Sequence, residues 1–318
     1  MSMKRSFEHA ERPPLALIAG PTASGKSDLA VRLALALKQR GRETVVINAD
    51  SAQVYADLAV LSARPTAEEM QGIEHRLFGS WDGASPCSAA DWAQEAKKAI
   101  AAVQAMGGVP IVVGGTGMYI TTLLNGIAPV PPIDDNVREA VRAMDTPTIH
   151  AALLIEDESY ALKLNRGDRQ RLARALEVVR STGRSLKAWQ RELAGGIGDA
   201  VSLHPAVLMP DRDLLYARCD ARFAAMLNKG AVEEVERLLA RELDPLLPVM
   251  TAIGVREIAG WIAGKWSREE AAAMGQQATR NYAKRQYTWL RHQPPTDWPR
   301  AALQDYNVET LFISLLRD

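Results

Sequence analysis

Cysteine is nearly absent from this chain: two thiols, Cys87 and Cys219, stand far apart in 318 residues. Two such residues build neither a disulfide framework nor a cysteine-ligated metal centre, and they suit a reducing, cytoplasmic compartment. Net charge is missing as well, because Lys+Arg and Asp+Glu both number 38. A balanced chain has no global attraction for a polyanion, so any nucleic-acid surface must come from local clustering. No run approaches the roughly 18 apolar residues of a membrane-spanning helix. The start, MSMKRSFEHAERPP, lacks the apolar stretch of a signal peptide and reads as a fraying end. No membrane partner is expected, and internal repeats and low-complexity tracts are absent. The 47% hydrophobic and 24% charged residues leave a soluble globular protein, long enough for one large domain with a sizeable insertion.

What is present begins with alternating strands and helices. Short apolar runs at 15–19 (LALIA), 44–47 (TVVI) and 109–113 (VPIVV) are separated by helical patterns at 26–38 and 91–106. Wholly apolar strands spaced by helices imply a parallel sheet covered on both faces, with ligands at the carboxyl ends of its strands. The proline-rich IAPVPPIDD then reads as a linker. From 136 to 190 the pattern is helical and basic, ending in the loose stretch Gly195-Gly196-Ile197-Gly198. A strand at 206–209 (AVLM) returns to the sheet, and helices follow near 213–228, 231–242, 253–263 and 268–290. The expected fold is α/β: a parallel-sheet core at 14–129 plus 205–318 with helices on both faces, and a helical insertion at 130–204.

Between the first strand and the first helix stands Gly20-Pro21-Thr22-Ala23-Ser24-Gly25-Lys26-Ser27, a match to G-x-x-x-x-G-K-[ST] in the context that this P-loop motif requires. Its glycines let backbone N–H groups close around phosphate oxygens, and the helix N-terminus adds positive potential. Lys26 would neutralise the terminal phosphate, and the Ser27 hydroxyl would join an Mg²⁺ shell. The motif predicts a bound di- or triphosphate and says nothing about what that phosphate carries. The strand PIVV ends in Gly114-Gly115-Thr116-Gly117 with no acid. Motor and switch proteins usually place an Mg²⁺-holding Asp at such a position, so its absence favours a transferase.

The second strand ends Asn48-Ala49-Asp50-Ser51-Ala52-Gln53, at the sheet edge that holds the phosphates. Asp50 there could orient a nucleophile and take its proton, or it could cap the next helix. Thr116 has the same two readings, ligand or cap. Two basic surfaces stand out besides. Leu172, Ala175, Leu176 and Val179 form a buried helical stripe that turns Gln170, Arg171 and Arg174 outward. From 163 to 191 there are nine Lys/Arg against two acids, a local excess that suits a phosphate backbone. Near the C-terminus Arg280, Lys284, Tyr287 and Arg291 share one helical face, with Tyr282 and Trp289 turned toward the core. Cations with an embedded aromatic suit RNA. His75, His150 and His204 form no ligand cluster, and the tryptophans at 261 and 266 read as packing.

Taken in order, several stretches resemble the tRNA dimethylallyltransferases: GPTASGKS at 20–27, NADSAQVY at 48–55, PIVVGGTGMYI at 110–120, GDRQRLARALEV at 167–178, RDLLYARCDARFAAML at 212–227, AIGVREI at 252–258 and ATRNYAKRQYTWLR at 278–291. The resemblance implies a P-loop core with a helical insertion, dimethylallyl diphosphate as donor, and Mg²⁺. As acceptor it implies N6 of the adenosine 3′ of the anticodon (position 37) in a tRNA anticodon stem-loop, with no obligate protein partner. Carried over by position, Asp50 is the general base toward N6, and Thr116 lies between diphosphate and base. Thr22 to Ser27 and Arg212 hold the diphosphate. RNA contacts fall on Asp50, Ser51, Ala52 and Gln53, on Arg138, and on Gln170, Arg171, Leu172, Ala173 and Arg174. They continue at Ala252, Ile253, Gly254, Val255, Arg256 and Glu257, and at Lys284, Arg285, Gln286, Tyr287, Thr288, Trp289, Leu290 and Arg291. The chain departs from the family pattern at Ala52, usually Arg, at Leu61-Ser62, usually Gly-Thr, and at Glu74, usually the first His of a pair. A P-loop small-molecule kinase, a transferase of free adenine nucleotides and a non-catalytic RNA-binding protein are the rival readings. ATP is not consumed in the favoured one.

Overall fold

The computed structural model describes residues 12–302 and 306–317, and backbone contacts divide the chain into two units: Met1–Leu123 with Gly198–Asp318, and Leu124–Ile197. Most of the expected fraying end lies outside the described residues. In the larger unit the strands are β1 (Pro14–Ala19), β2 (Thr44–Asn48), β3 (Glu74–Arg76) and β4 (Val109–Gly114). The smaller unit contributes β5 (Gly126–Ile127) and β6 (Ala194–Gly195), after which come β7 (Ser202–Leu208) and β8 (Arg300–Ala301). The sheet of the larger unit runs β3-β2-β4-β1-β7-β8, with every pair parallel. Its centre is wholly apolar: Leu15, Ala16, Ile18, Ile47, Ile111, Val112 and Ala206 are 0% exposed. This is the doubly covered sheet that unbroken apolar runs require.

Helix Lys26–Gln39 follows β1 and buries Leu29, Ala30, Leu33, Ala34 and Leu37, positions that share one face at 3.6 residues per turn. Helix Ala89–Ala105 starts at a capping box in which Ser88 accepts from the Asp91 N–H while the Asp91 carboxylate accepts from the Ser88 N–H. It carries the fully buried Trp92, whose indole N–H donates to the Asn48 carbonyl at 2.8 Å. That bond ties the end of β2 to the helix layer. The longest helix, Arg268–His292, packs along helix Arg212–Met226.

In the smaller unit, helices Asp135–Ala143, Thr146–Glu156 and Arg169–Thr182 close on Val141, Ile149, Leu153, Leu172, Ala175 and Leu176. The supposed loose stretch at 195–198 begins in a strand, since Gly195 pairs with Gly126 across β5 and β6. This unit spans 124–197, against the expected 130–204, because β7 starts at Ser202 and claims the following residues for the large sheet.

Candidate active site

The cradle is built as its motif requires. Gly25, the N-cap of helix Lys26–Gln39, has φ 85°, a left-handed conformation that costs glycine little and most residues considerably more. Ala23 also has positive φ, 62°. The turn is closed by Ser24 N–H donating to the Pro21 carbonyl at 3.2 Å, and Gly20 N–H reaches the Gly114 carbonyl at 3.1 Å. At Gly114 a Cβ would fall 2.1 Å from the Ala49 carbonyl oxygen, so only glycine lets β4 and the end of β2 approach this closely. The Ser24 hydroxyl is buried with no hydrogen-bond partner among the described residues. An orphaned buried hydroxyl is costly, and its place in a phosphate loop suits an absent ligand oxygen.

Asp50 lies just beyond β2 and is 5% exposed. Its Oδ1 accepts the Ala52 N–H at 3.1 Å, and its Oδ2 sits 3.8 Å from Lys26 Nζ. No helix starts here for Asp50 to cap: one oxygen closes a turn and the other faces Lys26. Asn48 fixes its backbone, accepting the Asp50 N–H at 2.8 Å and donating to the Asp50 carbonyl at 3.0 Å. Thr116 precedes helix Gly117–Asn125, but its hydroxyl turns away to accept the Ser51 N–H at 2.9 Å and meets the Ser51 hydroxyl at 3.2 Å. The tyrosine expected in the core, Tyr282, instead lines the cavity that also carries Asp50, and burial pushes its phenol pKa up.

Two adjoining cavities in the larger unit share Thr22, Asp50 and Arg222. One, of about 360 Å³, is walled by 22–28 of the P-loop. The other, of about 310 Å³, carries Asp50 and Arg222 among apolar groups that include Leu58, Leu61, Phe223 and Met226. Tyr55 and Tyr282 line it too, as do both thiols, Cys87 and Cys219. Lys26 is 7% exposed; burial pulls its ammonium below the ordinary lysine range, the Asp50 carboxylate opposing and Arg222 reinforcing the shift. Burial likewise lowers the Arg222 guanidinium, which donates to the Thr22 hydroxyl. A buried and a half-buried cation answered by one carboxylate, beside a helix N-terminus, suit an anion.

Arg222, which lines both cavities, was not singled out by sequence reasoning. The expected Arg212 is exposed on the first turn of helix Arg212–Met226, its guanidinium 4.9 Å from the Tyr287 ring centroid. The buried face of that helix is Leu215, Cys219, Phe223 and Met226, and Arg222 borders it. An arginine three residues from Cys219 and four from Met226 was the available signal.

The RNA-facing expectations divide by burial. Ser51, Ala52, Ala252, Ile253 and Arg285 line the apolar cavity, while Arg256, Lys284, Thr288 and Arg291 are exposed. Others are turned inward by helix periodicity. Leu172, Val255 and Leu290 are core residues, Gly254 is buried, and Glu257 accepts the Gly254 N–H at 2.9 Å. Gln53 donates to the Ser62 and Ala63 carbonyls, and Gln286 accepts the Thr22 N–H at 2.8 Å, making it a brace of the P-loop. Tyr287 packs beside Ala23, and Trp289 fills the space against Gly117. In the smaller unit Arg138 pairs with Asp135, Arg171 with Asp168 and Arg174 with Glu177. Gln170 is exposed and Ala173 is half-buried. The local cationic excess is smaller than the count suggested, because Arg180 pairs with Glu156 and Arg184 with Glu192. Arg169 donates to the Met144 and Arg142 carbonyls.

Among the described residues no group of three or more His, Cys, Asp or Glu is placed to hold a metal alone. Ser27 lines the phosphate cavity, and Mg²⁺ commonly binds through one or two protein oxygens together with phosphate and water, so the residues present fit that mode. No described helix is long and apolar enough to cross a membrane.

Residues 53–293 match the model of the IPP transferase family. The tRNA dimethylallyltransferase of Erythrobacter litoralis is 63% identical over 96% of this chain and 97% of its own length. That of Sphingopyxis alaskensis is 59% identical over 95% of each. Among solved structures, the tRNA isopentenylpyrophosphate transferase of Bacillus halodurans superposes with a TM-score of 0.67 at 28% identity, over 96% of this chain and 95% of that one. A eukaryotic dimethylallyltransferase acting on tRNA gives a TM-score of 0.73 at 28% identity, over 87% and 69%. With a matching domain over most of its length and such relatives over nearly all of it, the chain belongs to the IPP transferase family, the tRNA dimethylallyltransferases.

Proposed function

We propose that the chain transfers the dimethylallyl group of dimethylallyl diphosphate to N6 of the adenosine at position 37 of tRNA, 3′ of the anticodon, and releases diphosphate. The observation that carries this reading is the position of Asp50, shared by an anion-binding cavity and an apolar one. The diphosphate occupies the cradle, held by backbone N–H groups of 25–27 at the helix N-terminus, by Lys26 and by Arg222. Mg²⁺, held by Ser27 and phosphate oxygens, supplies charge neutralisation on the leaving group when bound. The allylic carbon then points into the apolar cavity, toward Leu58, Leu61, Phe223 and Met226.

An adenine stacked in its loop hides N6, so the base must leave the stack to reach that cavity. Asp50 accepts a hydrogen bond from N6 and orients its lone pair toward the allylic carbon. As the N–C bond forms and the C–O bond to diphosphate breaks, Lys26 and Arg222 stabilise the departing charge and Asp50 takes the N6 proton. Thr116, bonded to the Ser51 N–H and hydroxyl, holds the turn that carries Asp50. Exposed Arg256, Lys284, Arg285 and Arg291, and in the smaller unit Arg138, Arg171 and Arg174, supply the cations for the RNA backbone, with the Gln170 amide beside them. Two free thiols lining the site suit a reducing cytoplasm.

Unmodified tRNA is incubated with labelled dimethylallyl diphosphate and Mg²⁺, beside an assay with ATP labelled in its γ-phosphate. Label should pass to tRNA from the allylic donor and not from ATP, and chelation of Mg²⁺ should suppress transfer. Phosphoryl transfer from ATP without prenylation would replace this reading with a kinase.

A further inference from the structure

Glu234, on helix Ala231–Leu239, is a carboxylate 4% exposed outside the phosphate cradle. Its Oε1 accepts the Ala59 and Val60 N–H groups at 2.7 Å each, and its Oε2 accepts the Leu61 N–H at 3.0 Å. Three successive N–H groups converging on an anion form a concavity of the kind that phosphates occupy. Here the chain fills it with its own side chain. Charge-assisted bonds of this sort are what make burial of a carboxylate tolerable.

The turn held in this way is a wall of the site. Leu58, Leu61 and Ser62 line the apolar cavity, and Ala63 lines the phosphate cavity. Gln53 holds the far end of the turn, donating to the Ser62 and Ala63 carbonyls at 3.0 and 2.8 Å. Arg241 holds the near end through Asp57 and also bonds Asp82 at 2.7 Å. Leu61 is seated against Gly254, where a Cβ would fall 2.7 Å from Leu61 Cδ2. Glu234 grips the middle of the turn by three backbone N–H groups, the last of them that of Leu61, whose side chain bounds the cavity.

We propose that Glu234 is a positioning residue that fixes this wall and thereby limits the length of the allylic chain that the cavity accepts. The inference rests on the prenyl-transfer reading of the site. With the three bonds weakened, the 59–61 turn moves outward and Leu58 and Leu61 cede room. A ten-carbon geranyl chain gains from that space, while the shorter dimethylallyl group loses contacts.

The test compares wild type with Glu234→Gln, which keeps the shape and removes the charge, and with Glu234→Asp, which keeps the charge and shortens the reach. Steady-state kinetics on tRNA are measured with dimethylallyl and geranyl diphosphates, alongside hydrogen exchange of the 59–61 amides and thermal melting. A folded variant should show KM for dimethylallyl diphosphate raised about tenfold with kcat within about threefold, the pattern of lost ground-state contacts. The geranyl-to-dimethylallyl ratio of kcat/KM should rise by about tenfold or more, and the three amides should exchange faster. A folded variant with the wild-type KM and ratio would overturn the proposal. So would failure of both variants to fold, which would make Glu234 a residue of the core. A wild type that transfers neither chain to tRNA would instead defeat the functional reading on which the proposal rests.

Discussion

Asp50 divides its work between its oxygens, Oδ1 holding the Ala52 N–H and Oδ2 facing Lys26. Asp50→Ala should lower turnover roughly 10²–10⁴-fold, the range for a positioned general base, with tRNA affinity much less affected. The lost turn bond should cost only about 1 kcal/mol of stability. Single-turnover rates and tRNA binding measured on the same variant separate these effects, and turnover within a few-fold of wild type would leave Asp50 a role in its turn alone. At the cradle, Arg222 and Arg212 give opposite expectations from the same helix. Arg222→Ala removes a half-buried cation bonded to Thr22 and should raise the donor KM roughly 10–100-fold, the worth of a charged hydrogen bond. Arg212→Ala removes an exposed guanidinium stacked on Tyr287 and should leave donor KM within about threefold. Donor kinetics of the two variants decide between them; the reverse ranking would return the diphosphate to Arg212.

The elements explain which residues could be read in advance. Strands β1, β2 and β4 were legible because unbroken apolar runs are what a doubly covered parallel strand needs, and the P-loop because its spacing is dictated by backbone geometry. β3 and β8 were not, since Glu74–Arg76 and Arg300–Ala301 are short edge pieces that borrow their pairing from β2 and β7. The roles of Arg222 and Gln286 were hidden for a related reason: each lies hundreds of residues from the Thr22 it touches, and no local pattern records that contact. Periodicity did separate Leu172 from Arg171 and Arg174, and the structure keeps those arginines exposed. The Arg171–Asp168 pair at 3.4 Å is a surface pair of small worth, and the buried Glu177, 3.9 Å from Arg174, keeps Arg142 at 3.7 Å, so neutralising both arginines should spare the fold. Replacing Arg171, Arg174, Lys284 and Arg291 by Ala should weaken tRNA binding and flatten its salt dependence by about one unit of slope or less per lost contact, with donor affinity unchanged. Binding across a salt series, with melting as control, checks this; an unchanged slope in a folded variant would show an ordinary solvated face.

At the scale of the whole molecule, an overall charge of zero coexists with a candidate anion site because the charge is placed, not accumulated: buried Lys26 and half-buried Arg222 stand beside one acid in the larger unit. The smaller unit carries its cations on helix surfaces. The central claim is that Asp50 and the two cavities it joins direct one allylic group onto one amino group of one base. The most direct measurement is the site of modification itself. Unmodified tRNA is treated with wild-type enzyme, dimethylallyl diphosphate and Mg²⁺, digested, and sequenced by mass. A single dimethylallyl group on N6 of the adenosine 3′ of the anticodon, absent with Asp50→Ala, is the predicted result. Modification at another atom or another base, or undiminished modification by Asp50→Ala, would contradict it.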